Sequence, residues 1–315
     1  MRPQLEALKA KRDLTESEFL ALLGERDLAR EEGREADYAE CLLLLAHFVK
    51  WVRSDNDEPP FVRATTLSLE ALPIYERLGD TKGQISALLS AVPGVPPEKA
   101  TAFLATAMDL ANESGDELQV AQVLNRQAAR AGMSDRNLAS QLNREALIIY
   151  ERHGHRSGQA ACQYSLIMTS GDDYVARVAA LSGADLYESV GDPKMAAKCL
   201  SLALHFHAKS LTLDTQLKLA ERGLKLAQQT TRRSLEGSFY RDLSRIHQEM
   251  GNPEESAQYN RWHKEIQDSD GLTEKQRSRN NKRFAKQMSA FAKLTGHLNA
   301  AKMFRDCEKT PPENS

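Results

Sequence analysis

The stretch ALPIYERLGDTKGQ, residues 71–84, holds the pattern that decides the fold. A small residue and an apolar pair lead to Tyr75, a turn follows at Gly79, and a new helical run begins after it. The same order returns at residues 146–159 and 183–196, and at 107–120 with Ala111 in the place of the tyrosine; weaker copies begin at Leu28 and Gly223. The clearest turn glycines, at 79, 115, 154 and 191, are spaced by 36, 39 and 37 residues. A constant period of this length indicates an array of repeated helical units.

A second set of helix-breaking segments lies between those turns. Several of these segments contain an Asp, Asn or Ser that can cap the next helix, or a proline that suits its first turn. Each unit is therefore predicted to be a helical hairpin. The 40 Ala and 41 Leu residues far outnumber the 10 Val and 7 Ile, which favours helices over strands. Pro73 is expected to kink or end its helix. Six hairpins are predicted at 34–78, 80–114, 116–153, 155–190, 192–229 and 232–267.

The second helix of each hairpin carries small residues seven positions apart, about two helical turns, so the two members of a pair share one face. These pairs are Ala64 and Ala71, Ala100 and Ala107, Ala139 and Ala146, and Ala176 and Gly183. In the last two hairpins the second small position falls on Gly223 and Lys264. The first helix carries a bulky anchor at Leu42, Leu88, Leu124, Leu200 and Tyr240, whereas Gln163 fills that place in the fourth hairpin.

This arrangement resembles the tetratricopeptide-repeat family over residues 34–267. The period is nearer 38 than the family's 34, and the Trp that opens the family motif is absent. The resemblance implies an all-α fold, a right-handed α-solenoid of about six helix-turn-helix repeats, with residues 1–33 as an N-terminal helical segment or cap. Another α-solenoid, or an ordinary Ala- and Leu-rich helical bundle, remains open as an alternative.

The C-terminal segment differs in charge from the rest of the chain. Residues 272–315 contain ten Lys and Arg against four acidic residues, a net +6 in a chain whose formal charge is −2. Phe284, Met288, Phe291, Thr295 and Leu298 form one apolar helical stripe. We expect a basic amphipathic helix over 272–306 that caps the array, followed by a disordered tail over 307–315. An arm that binds nucleic acid or an acidic partner, or one that binds a membrane surface, is the alternative.

The sequence contains no recognisable catalytic or metal-binding pattern. Cys41, Cys162 and Cys199 occupy one repeat position that Ala87, Val123 and Phe239 fill elsewhere, which indicates packing rather than a disulfide or a zinc site. Phosphate-binding glycine loops and the HExxH zinc motif are absent from the sequence. We therefore expect a protein that is not an enzyme and needs neither a metal nor another cofactor.

The N-terminal sequence and the length of the apolar runs indicate in which cellular compartment the protein is found. The first twenty residues lack the apolar core of a secretory signal, and the longest apolar run covers only residues 41–46. A membrane helix needs roughly 20 apolar residues. The sequence therefore predicts a cytoplasmic protein with no membrane partner.

By the resemblance, the function is to bind a protein or peptide on the concave surface that the first helices line. Nucleic acid is a less favoured partner for the array, because the array carries a net negative charge. The alternative function is a regulator whose basic C-terminal helix contacts nucleic acid or another polyanion. The simpler interpretation of each candidate residue is that it is an ordinary solvated surface residue. The candidates for partner binding are Glu40, Gln122, Asn125, Tyr164, His205, Arg241 and Arg245.

Overall fold

The structure is a computed structural model that describes residues 14–49, 59–132, 134–207, 211–230 and 233–269, together with Leu5 and Leu8. Within these ranges the regular structure is helical, and no strand occurs. The predicted basic helix over 272–306 and the tail over 307–315 lie outside the described residues, as does Cys307.

Thirteen α-helices follow one another along the described chain. The first, α1, is Glu16–Glu31, within the segment predicted to precede the array. The others form successive pairs, whose members we call the first and second helix. The pairs are α2 (Glu35–Val49) and α3 (Pro60–Leu78), α4 (Thr81–Ala91) and α5 (Pro97–Ser114), α6 (Glu117–Ala131) and α7 (Arg136–Arg152), α8 (Arg156–Thr169) and α9 (Asp173–Ser189), α10 (Pro193–His207) and α11 (Leu213–Gln228), and α12 (Arg233–Glu249) and α13 (Pro253–Ser269).

The chain separates into two compact units, one that runs to Val123 and one that begins at Leu124. From α1 to α5 and from α7 to α13, helices that follow one another in sequence pack against each other, as a helical repeat requires. The second unit has one continuous apolar core from Ala160 to Ile246, whereas the first unit divides its core among smaller clusters.

The quoted stretch forms the end of one helix, a tight turn and the start of the next helix. Gly79 has φ +65°, a left-handed conformation that favours glycine, and the N–H of Asp80 donates to Tyr75 O at 3.0 Å. The Asp80 carboxylate then caps α4 by accepting from the N–H of Gly83 at 2.9 Å. In the copy at 146–159 the cap is His155, whose Nδ1 accepts from the N–H of Gly158 at 3.0 Å.

The tyrosine of this stretch packs over the glycine that opens the following helix. A Cβ placed on Gly83 would lie 2.1 Å from Tyr75 Cδ1, and one on Gly158 would lie 2.4 Å from Tyr150 Cδ1. Both tyrosines are buried. In these two copies the ring of the tyrosine therefore fills the space that a side chain on the glycine eight residues later would need.

The small residues predicted to line the second helices are buried, and none of the seven alanines is more than 2% exposed. In α5, α7, α9 and α11 the first stripe residue, at positions 100, 139, 176 and 216, is the fourth residue of the helix. Counted this way, the stripe of the last pair falls on Ser256 and His263. The assignment to Lys264 is therefore wrong by one residue, and Lys264 is exposed. Its register follows from where α13 begins, at Pro253, rather than from the distance to an earlier repeat.

Pro73 does not end its helix, because α3 continues to Leu78. The proline is exposed, and Arg77 Nη1 donates to its carbonyl at 3.3 Å. The cysteine position, in contrast, is a packing position as predicted. Cys41, Cys162 and Cys199 are free thiols with no solvent exposure. Burial raises the pKa of Cys41 to about 11 and that of Cys162 to about 12.

Candidate functional site

All seven sequence candidates lie on first helices. His205 on α10 and Arg241 on α12 are exposed, whereas the other five are half-buried. The half-buried candidates are Glu40 on α2, Gln122 and Asn125 on α6, Tyr164 on α8, and Arg245 on α12. The structure brings three candidates of the second unit together, and it ties Asn125 and Tyr164 into their surroundings.

The three that converge are His205, Arg241 and Arg245, whose charges act on the carboxyl group of Asp242. Burial raises the pKa of Asp242, while Arg241, Arg245, His205 and, on α13, His263 act in the opposite direction. Arg241 Nη2 lies 3.8 Å from Asp242 Oδ1. We call these five residues the Asp242 cluster. Side chains from α10, α12 and α13 thus influence one half-buried carboxyl group.

Two members of the Asp242 cluster are held by other contacts. Arg245 donates from Nη1 to Glu249 Oε1 at 2.8 Å and from Nη2 to Gln216 Oε1 at 2.9 Å. His263 Nδ1 lies 2.8 Å from Gly237 O, and since a carbonyl only accepts, Nδ1 carries the proton. Arg241 is more open, with 58% of its side chain exposed. Arg241 and His205 are therefore the members best placed to meet a partner.

The sequence reasoning missed Asp242 and His263, although a signal for Asp242 was present. Asp242 lies three residues after Phe239 and four before Ile246, both of which are completely buried. A carboxylate at that spacing falls on the apolar face of the helix. No comparable signal marks His263, because its position depends on how α13 rotates against α12.

Asn125 belongs to a polar network that joins α6, α7 and α8. Its Nδ2 donates to Asn143 Oδ1 at 3.1 Å and lies 3.5 Å from Cys162 Sγ. Asn143, which has no solvent exposure, in turn donates to Ser165 Oγ at 2.8 Å. Buried amides need such partners, because an unpaired one would cost roughly 1–3 kcal/mol. The geometry thus gives Asn125 a role in fixing three helices together.

Tyr164 also faces inward. Burial raises its pKa, and the nearby Cys199 thiol acts in the same direction. It packs beside the continuous core of the second unit. Its side chain therefore contributes to packing as well as to the surface of α8.

An aromatic cluster on α12 and α13 was not anticipated. The ring centroids of Tyr240 and Trp262 are 5.5 Å apart, those of Tyr259 and Trp262 5.4 Å, and those of His247 and Tyr259 5.3 Å. Trp262 is 38% exposed. At these separations the rings are in contact, so the cluster is a packed aromatic patch at the surface.

The described residues contain no group of three or more His, Cys, Asp or Glu side chains arranged to hold a metal ion. None of the helices in the described ranges is both long and apolar enough to cross a membrane.

Neither a family model nor a curated protein sequence matches the chain. Among solved structures, the chain is similar to one described as the crystal structure of BtubC (BKLC) from P. vanneervenii. The two share 13% sequence identity with a TM-score of 0.39, and the alignment covers 85% of this chain and 91% of that chain.

Proposed function

We propose that this chain is a tetratricopeptide-like scaffold, a right-handed α-solenoid of about six hairpins, which binds a protein or peptide through its first helices. The observation that carries the proposal is the Asp242 cluster, in which candidates chosen for their place on the first helices meet around one carboxyl group. Exposed Arg241 and His205 supply its reachable surface.

The Asp242 cluster combines groups that hydrogen bonds hold in place with groups that are exposed. Arg245 and His263 are held by hydrogen bonds to Gln216 and Gly237, so the cluster keeps its shape before a partner arrives. A pre-organised surface loses less conformational entropy on binding. Arginine in particular is enriched in protein interfaces, because its planar group forms several directed hydrogen bonds.

A comparison of matched surface variants tests this proposal. Partners captured by the purified chain would be identified by mass spectrometry and titrated against each variant. The test variant is His205→Ala with Arg241→Ala, and the control is Arg144→Ala with Lys218→Ala, which removes exposed charges from the second helices α7 and α11. We expect the test variant to weaken binding by tenfold or more, since hot-spot residues each contribute about 2 kcal/mol.

The control variant should bind as the original chain does. A partner that tolerates the first-helix changes but is lost with the second-helix changes would show that the wrong surface was chosen. Unchanged melting temperatures are required for both variants, so that lost binding is not confused with unfolding.

A further inference from the structure

One face of α1 differs from an ordinary solvent-facing helix surface. It carries Leu20, Gly24, Asp27 and Glu31, which follow one another at steps of four, three and four residues and therefore share one side of the helix. All four are exposed, and the exposed fraction of Leu20 is 59%. The other side of α1 is buried at Leu22, which has no solvent exposure. We call the four exposed residues the α1 face.

Gly24 is the unusual member of the α1 face. A glycine inside a helix makes that helix less stable than an alanine would. Outside the backbone of α1, no atom of the described residues lies within 4 Å of a Cβ built on Gly24, whereas tyrosine rings fill that space at Gly83 and Gly158. An exposed glycine beside an exposed leucine suits a second helix that packs closely, because the missing side chain lets the two backbones approach. The α1 face thus has the composition of a helix contact.

The α1 face lies in the part of the chain that holds the negative charge. Residues 1–123 contain 22 acidic residues against 13 Lys and Arg, whereas residues 124–271 contain 18 against 19. The excess is greatest around α1 and α2, since residues 14–49 hold nine acidic residues and three arginines. The net +6 of residues 272–315 is therefore attracted to the first unit more than to the second.

The end of α1 concentrates this negative charge. Three carboxylates share the Arg34 guanidinium: Glu25 Oε1 lies 3.0 Å from Nη2, Glu32 Oε2 lies 2.7 Å from Nε, and Asp37 contacts Nη1. Glu31 is the last residue of α1 and Glu32 is its C-cap. Both carboxylates therefore lie at the negative end of the helix dipole, where a cation is favoured. A basic neighbour beside this end of α1 would stabilise it.

The last helical pair is the competing surface for the basic segment, because α13 ends at Ser269, shortly before the segment begins. Its exposed side chains include Glu254, Arg261, Lys264 and Glu265. Charges of both signs attract and repel a basic helix at the same time, so this surface offers the segment little net electrostatic attraction.

We propose that the α1 face is the docking surface for segment 272–306 of this same chain. Phe284, Met288 and Phe291 in the apolar stripe of the segment follow one another at steps of four and three residues. This stripe can lie along Leu20 and over Gly24, while the lysines and arginines of the segment meet the carboxylates of α1. The segment then covers the first described helix rather than the last pair. The inference is independent of the proposed function, which concerns the first helices of the pairs.

Carbodiimide cross-linking of the full chain tests the contact, because this reagent joins a carboxylate to a lysine only where the two touch. We expect mass spectrometry to find Asp27 or Glu31 joined to Lys282, Lys286 or Lys293 of the same chain. Raising the salt concentration from about 0.1 M to about 1 M should lower the yield of these links several-fold, since the Debye length falls from about 10 Å to about 3 Å.

Other patterns of cross-links would overturn the proposal. Links from the same lysines to Glu254 or Glu265 would place the segment on the last pair. Links that form only between different chains would assign the α1 face to a second copy. If none of these lysines is joined to α1, the segment does not dock there.

Two matched variants of the full chain separate a packed face from a merely acidic one. Gly24→Gln adds a side chain where the described residues leave space, so α1 should stay folded while the segment is held away and the yield falls several-fold. Ala36→Gln makes a similar change on the exposed surface of α2 and should leave the yield unchanged. Leu20→Ser should also lower the yield, because it removes apolar contact area without adding volume. Equal yields for Gly24→Gln and Ala36→Gln, with both proteins folded by circular dichroism, would refute packing over Gly24.

Discussion

Replacing Gly158 by Ala tests the contact that links one helical pair to the next. The added Cβ would lie 2.4 Å from Cδ1 and Cε1 of Tyr150. Because carbon atoms pack at roughly 3.5–4.0 Å, the ring would have to move by about 1 Å. Tyr150 is 3% exposed and is backed by His155, so the ring has little space to move into.

Two effects of opposite sign decide the result. Overpacking a filled site costs about 1–3 kcal/mol, with the upper half of that range expected for so close a contact. Alanine in place of glycine inside a helix stabilises the helix by about 0.8–1.0 kcal/mol. We therefore expect Gly158→Ala to lower the free energy of unfolding by about 1–2 kcal/mol, because the clash outweighs the gain in helix propensity.

Gly183→Ala is the matched control in the same unit. Its Cβ would lie 3.3 Å from Cys199 Sγ and 3.4 Å from Gln163 Cβ, so that only a small adjustment is needed. Alanine already occupies the corresponding place in three other pairs, as Ala71, Ala107 and Ala146. We expect this variant to be as stable as the original chain or slightly more stable.

Urea unfolding followed by far-ultraviolet circular dichroism measures both variants. The midpoint should fall for Gly158→Ala and hold for Gly183→Ala, with the slope unchanged. Adding Tyr150→Leu to Gly158→Ala should recover part of the loss, because the shorter side chain vacates the space. A midpoint for Gly158→Ala equal to or above that of Gly183→Ala would refute the argument from ring packing.

Three further changes probe other contacts. His155→Ala should cost about 0.5–2 kcal/mol in urea unfolding by removing the cap on α8, whereas His155→Asp should retain the cap, as the aspartates that open α4 and α10 do. Ala139→Leu should cost about 1–3 kcal/mol by overpacking a buried stripe position, and a neutral result would contradict the register given for α7. Burial raises the pKa of Cys41, Cys162 and Cys199 from 9.0 to about 11 or 12, so the unfolded chain loses these protons first. The free energy of unfolding should therefore fall as pH rises above 9, by up to about 1.4 kcal/mol per group and pH unit, and the triple alanine variant should show a smaller fall between pH 8 and pH 10. Equal slopes for the two proteins would count against buried, protonated thiols.

The sequence by itself determined the features that depend on a few neighbouring residues. A left-handed glycine, the cap that follows it and the start of the next helix are set by hydrogen bonds within about five residues, so the stretch at 71–84 could be recognised and extended to its copies. The buried stripe of small residues followed from helical periodicity in the same way. In the last pair the sequence copy of the repeat is weak. Counting from an earlier repeat placed the second small residue at Lys264, which is wrong by one residue because the start of α13 sets the register.

Only the tertiary structure decided which polar groups meet. The spacing within α12 places Asp242 on the apolar face of its helix, but the packing of α12 against α13 decides that His263 is the residue near it. Local hydrogen bonds act over a few residues, whereas the electrostatic environment of a side chain sums over every helix around it.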